Sequence, residues 1–91
     1  MDIIWGEVVN VIDGDTFDVK VTHFHQDNDN DYKSKERVRI DGVDAPELPT
    51  RAGKRAKRDL SDALLGEEVE LHIYSRDTYG RLIADVEVEQ S

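Results

Sequence analysis

The sequence predicts a mainly β fold, α+β in some schemes: a small five-stranded barrel with one helix, ordered β-β-β-α-β-β. Three observations predict it. Five short segments alternate apolar and polar residues with the period of a strand. Between the third and fourth, the period changes to the three- and four-residue spacing of a helix. The chain has 91 residues and no cysteine, which predicts one small domain over residues 1–91 held by a core and not by disulfides.

Residues 3 to 12 form the first strand, rich in Ile and Val. In the second, Phe17, Val19 and Val21 alternate with Asp18 and Lys20, and in the third Val38 and Ile40 flank Arg39. A polar stretch, "HQDNDNDYKSKE", lies between them and predicts a solvated hairpin loop over about 22–36. The helix is expected over about 50–65, where Ala52, Ala56, Leu60, Ala63 and Leu64 share one face. Thr50 suits its N-cap and Gly66 its C-terminal end. Val69, Leu71 and Ile73 then alternate with Glu70 and His72, and Leu82, Ala84, Val86 and Val88 with Ile83, Asp85, Glu87 and Glu89. A helix between strands three and four of a small barrel is the connectivity of an OB-fold. A curled antiparallel sheet covered by one helix is the alternative.

Twenty-one acidic and twelve basic residues give a net charge of −9, which repels nucleic acid as a whole. The charge is unevenly spread, however. "RAGKRAKR", residues 51 to 58, holds five cations and no acid. It reads either as a solvated helix face or as a surface where Lys54 and Arg55 guide phosphates. No apolar run is long enough to span a membrane, so no membrane partner is expected.

Charged residues cluster in three places that a barrel does not require. Asp13 and Asp15 bracket Gly14 at the end of the first strand, where Asp-Gly reads as a hairpin turn tolerant of positive φ. "RVRIDGVDAPE" carries Arg39, Asp44 and Glu47. There Pro46 holds Ala45 extended and leaves the Ala45 carbonyl without a helical partner. "RDTYGR" places Arg81 just after a Tyr79-Gly80 turn. Two carboxylates with a backbone carbonyl suit a hard cation such as Ca²⁺. Two arginines suit a phosphate. Each piece also has a plain structural reading, as a turn or a surface ion pair such as Arg39 with Asp41.

Taken together, "VIDGDT", "RVRIDGVDAPE" and "DTYGR", in that order and with a helix between the last two, resemble the thermonuclease (staphylococcal nuclease-like) family over roughly residues 5 to 88. The resemblance implies that Asp15, Asp44 and the Ala45 carbonyl hold Ca²⁺, with Asp13 and Thr16 supporting them from behind. It implies that Arg39, Glu47 and Arg81 are catalytic and that Tyr79, with Lys54 and Arg55, binds substrate. The function implied is Ca²⁺-dependent, sequence-nonspecific hydrolysis of phosphodiester bonds in DNA or RNA. An OB-fold module that binds nucleic acid or protein without catalysis is the rival. The family's usual C-terminal helices are not found in this chain. The face they would occupy is therefore expected to be covered by a homo-oligomer or a protein partner, or the chain to be a fragment of a longer protein.

Other patterns count for less. Asp27, Asp29 and Asp31 suggest a calcium loop, but Tyr32 and Val38 stand where an EF-hand needs Gly and Glu. His23 and His25 share a strand face without a third ligand, and Trp5 is expected to pack on the sheet.

Overall fold

The computed structural model describes residues 1–89. Its elements are β1 (Asp2–Asp13), β2 (Thr16–Phe24), β3 (Lys35–Ile40), α1 (Arg51–Leu64), β4 (Glu68–Arg76) and β5 (Leu82–Val88). The strands close a barrel in the order β1-β2-β3-β5-β4, the OB-fold arrangement, so the open-sheet alternative is set aside. Closure is possible because the long β1 bends at three irregularities and pairs with β2 on one side and β4 on the other. The last seam, β3 with β5, is parallel and joins Val38 to Leu82.

Alternation sets the core. The inward residues of the strands, among them Ile4, Val8, Phe17, Val19, Val38, Val69, Leu71 and Leu82, are fully buried. Burying a side chain of this size stabilises the fold by roughly 1.5–3 kcal/mol. Leu64 completes the core from α1, with Leu60 half-buried beside it. The cap is as expected: Thr50 Oγ1 accepts from the Gly53 N–H at 3.0 Å. Gly66, at φ 83, turns the chain out of the helix, and its N–H donates to the Val8 carbonyl at 2.8 Å.

One expectation is corrected. The polar loop is shorter than 22–36, because Trp5 pairs with His23 and Ile4 with Phe24, which extends β2 and leaves 25–34 as the connection. Most of the loop is exposed, as a solvated loop should be, and it is also tied to β1. Asn28 bonds both the N–H and the carbonyl of Ile3, each at 2.8 Å. The Asp2 carboxylate accepts from the Asp29 N–H at 2.8 Å, the Asn30 N–H at 3.1 Å and the Tyr32 hydroxyl at 2.6 Å. The Tyr32 bond, then that from Asp29, holds Asp2 at a pKa of about 2.

One end of the barrel is plugged by a charge pair. Glu36 points inward and is buried, and Arg76 from the end of β4 grips it through two bonds of 3.0 and 3.1 Å. The backbone N–H of Lys33 adds a third, at 2.9 Å.

Candidate active site

The β1–β2 hairpin is built on two loop residues, Gly14 and Asp15, between the paired Asp13 and Thr16. Asp13-Gly14 makes the hairpin bend as expected, though Gly14 does not use the positive φ that it tolerates. Its role is space. A Cβ there would lie 2.6 Å from the Cβ atoms of both Ala45 and Ala56. The hairpin tip thus packs directly against the segment after β3 and against α1.

That packing buries the Asp15 carboxylate and surrounds it with donors. Thr16 Oγ1 donates to Oδ1 at 2.8 Å, and the Ala45 N–H donates to Oδ2 at 3.2 Å. Asp13 accepts from the Asp15 N–H at 3.0 Å, which fixes the bend. Burial alone would raise the Asp15 pKa, yet the surrounding hydrogen bonds and the Arg39 charge outweigh it and hold the pKa low. Asp13 shifts the other way, raised by burial and by its negative neighbour Asp15. One carboxylate of the pair is held charged at the expense of the other.

Arg39, on β3 opposite Thr16, reaches across this hairpin. Its Nη2 lies 3.7 Å from Asp15 and 3.6 Å from Asp44. Two carboxylates distant in sequence therefore converge on one cationic group, and neither distance is a tight hydrogen bond. The Asp44 side chain is 97 % exposed. Arg39 does not pair with Asp41, whose N–H instead joins the Ala84 carbonyl at 2.8 Å. Ala45 turns its N–H toward Asp15, and no hydrogen bond to its carbonyl occurs among the described residues.

Glu47 stands in the turn before α1. Its carbonyl accepts from Thr50, and Gly53 brings the helix so close that a Cβ there would lie 2.2 Å from that carbonyl. Its carboxylate has no hydrogen-bond or ion-pair partner among the described residues. Arg81 is held elsewhere, by Asp77 at 2.7 Å, with its guanidinium 5.2 Å over the ring of the exposed Tyr79. Lys54 and Arg55 line a separate groove of about 900 Å³ on α1 with Pro46, Arg51 and Arg58. The structure thus joins Asp13, Asp15, Thr16, Arg39, Asp44 and Ala45, and leaves Glu47, Arg81, Lys54 and Arg55 on flanking elements.

Two groupings escaped the sequence. Asp18 is buried and grips Arg37, and Glu70, His72 and Glu87 meet on the outside of β4 and β5. Both rest on cross-strand register, and only the alternation of residues along each strand was visible beforehand. His25 lies just past the end of β2, and its Nδ1 accepts from the Asp27 N–H at 3.1 Å. Trp5 lies on the sheet as expected, with Nε1 donating to Glu70 at 2.9 Å.

Residues 37–91 match the family model described as staphylococcal nuclease homologue. The chain belongs to this family. Among curated relatives, the micrococcal nuclease of Shigella flexneri is 37% identical over 81 residues, covering 89% of this chain and 41% of that protein. An uncharacterized endonuclease of Escherichia coli O157:H7 is 31% identical over 83 residues, 91% of this chain and 48% of that protein. A probable staphylococcal-like nuclease of rice, CAN1, is 38% identical over 52 residues, 57% and 16% of the two chains. The chain spans less than half the length of these relatives. Among the described residues, no helix is long and apolar enough to cross a membrane.

Proposed function

We propose that this member of the staphylococcal nuclease homologue family is a Ca²⁺-dependent nuclease that hydrolyses phosphodiester bonds of DNA or RNA without reading sequence. One observation carries the reading: Asp15 and Asp44 converge on Arg39 beside an unbonded Ala45 carbonyl. This is an all-oxygen donor set next to a phosphate-binding group, and hard cations take such sets. Asp15 is already held ionised, as a ligand must be. Asp15, Asp44 and the Ala45 carbonyl would hold Ca²⁺, with Asp13 and Thr16 fixing Asp15. Bound there, the ion supplies Lewis-acid polarisation of the scissile phosphate.

The chain's own residues supply the rest. Arg39 meets the phosphoryl oxygens, since its contacts to the Val43 carbonyl and to the two carboxylates run through Nη2 and leave other donors of the guanidinium for the tetrahedral phosphate. Arg81 stabilises the charge that develops as the P–O bond to the leaving nucleoside breaks. The unpaired Glu47 carboxylate accepts the proton of the attacking water, and that proton balances the one gained by the leaving oxygen. Tyr79, stacked on Arg81, and the Lys54–Arg55 groove hold the flanking nucleotides.

Incubating the protein with single-stranded and duplex DNA, with Ca²⁺ or with a chelator, tests this. Cleavage is expected with Ca²⁺ only, and Glu47→Gln is expected to slow it by about a hundredfold or more. Absence of metal-dependent cleavage by the unaltered chain overturns the proposal. Binding without cleavage supports the non-catalytic module.

A further inference from the structure

Beside the site lies a smaller groove of about 300 Å³, lined by Asp18, Lys35, Arg37, Tyr79, Gly80 and Arg81, with Glu36, neutralised by Arg76, at its floor. Register explains its composition. Lys35, Arg37 and Arg39 are alternate residues of β3, so all three leave the outer face of the barrel in one row. Val38 pairs with Leu82, which sets Arg81 and the Tyr79 ring beside Arg37 across the parallel seam. A line of cations thus runs from Arg39 along the strand, with an exposed aromatic ring at its edge.

Asp18 is the unusual member. It is buried on the wall of the groove, a costly place for a carboxylate. It accepts from Arg37 Nε at 2.9 Å and from Nη2 at 3.3 Å, with Lys35 Nζ 3.9 Å away. The forked contact uses one edge of the guanidinium and leaves Nη1 without a partner among the described residues. Half of the Arg37 side chain remains open to solvent. An arginine tethered along one edge, with its other donors facing a groove, is pre-organised for an oxyanion.

We propose that Lys35 and Arg37, with Asp18 as the residue that positions Arg37, form a second phosphate subsite that takes the backbone of the polynucleotide next to the scissile phosphate. The inference rests on the nuclease reading and adds to it a polymer track. Substrates longer than one phosphodiester gain affinity there through backbone contacts that carry no base information.

The test is fluorescence anisotropy with a labelled single-stranded oligonucleotide in Ca²⁺, over a salt series, in a Glu47→Gln background so that the probe survives. Arg37→Gln and Lys35→Gln are each expected to weaken binding severalfold and to flatten the log–log salt slope by about 0.7, the value for one phosphate contact on a single strand. Arg37→Lys is expected to keep the slope, because it keeps the charge. Asp18→Asn is expected to weaken affinity with the slope retained. Unchanged slopes in both glutamine variants, while the parent binds, overturn the subsite and leave the nuclease reading standing. A parent that neither binds nor, with Glu47 restored, cleaves brings down both together. Melting curves without DNA separate these outcomes from misfolding. Should Arg37→Gln fail to fold, Lys35→Gln decides alone.

Discussion

Gly14 shows how a single missing methyl group organises a site. Any side chain there would collide with Ala45 and Ala56, whose Cβ atoms lie 2.6 Å from the position a Cβ would take. Gly14→Ala should therefore push the hairpin off α1, costing roughly 1–3 kcal/mol in chemical denaturation, and should weaken Ca²⁺ binding because Asp15 moves with the turn. Asp15→Asn separates the two roles. Asn retains an acceptor for the Thr16 hydroxyl, so the melting temperature should fall only by what the loss of one hydrogen bond, about 1 kcal/mol, implies. Calorimetric Ca²⁺ binding should vanish. A variant that still binds Ca²⁺ with parental affinity would show that Asp15 serves the turn alone.

At the scale of elements, the 25–34 connection and the barrel plug make predictions of their own. Asp2 has a folded pKa of about 2, below the ordinary carboxylate value of about 3.9. The fold thus favours its charged form. Its contribution is complete above about pH 4 and is lost as the pH falls toward 2. Amide exchange at Asp29 and Asn30, whose N–H groups bond Asp2, should accelerate over that window, and Asp2→Asn should abolish the dependence. Arg76→Ala leaves the buried Glu36 carboxylate without its guanidinium and should destabilise by about 3 kcal/mol. These contacts also mark where the sequence stops being legible. Strand and helix periodicity revealed every element, and Thr50 and Gly66 revealed the helix ends, because those signals are local. The 25–34 connection reads as polar and unstructured, because nothing local joins Asp2 to Asp29 or Glu36 to Arg76. At Gly14 the local rule for Asp-Gly turns foretold the bend, and tertiary packing adds a use of the same residue that the rule does not contain. For the site, Asp15, Arg39 and Asp44 were legible as a set through their motifs. The pairing of Asp18 with Arg37 was not, since two charges on neighbouring strands look like ordinary surface residues until the register is known.

Across the whole molecule, a net charge of −9 coexists with cations concentrated on β3, at the Tyr79–Arg81 turn and on α1. On the proposed function, nucleic acid should be drawn to these cationic regions and repelled elsewhere, and association should slow steeply as salt rises. Ca²⁺ should raise the melting temperature in proportion to the logarithm of its concentration above its dissociation constant, since the ligands come together only in the fold. Asp15→Asn should remove that dependence, and a melting curve indifferent to Ca²⁺ in the parent chain would count against the metal site.

The parallel seam between β3 and β5 carries a consequence in time. It joins Val38 to Leu82, so it closes only after the chain between them has found its place. Arg39 lies on one side of that seam and Arg81 on the other. A chain with that seam still open has Asp15, Arg39 and Asp44 in one piece and Arg81 in another, so on the proposed mechanism it lacks the group that stabilises the leaving oxygen. In refolding, the cleavage proposed for this chain should return with the slowest structural phase.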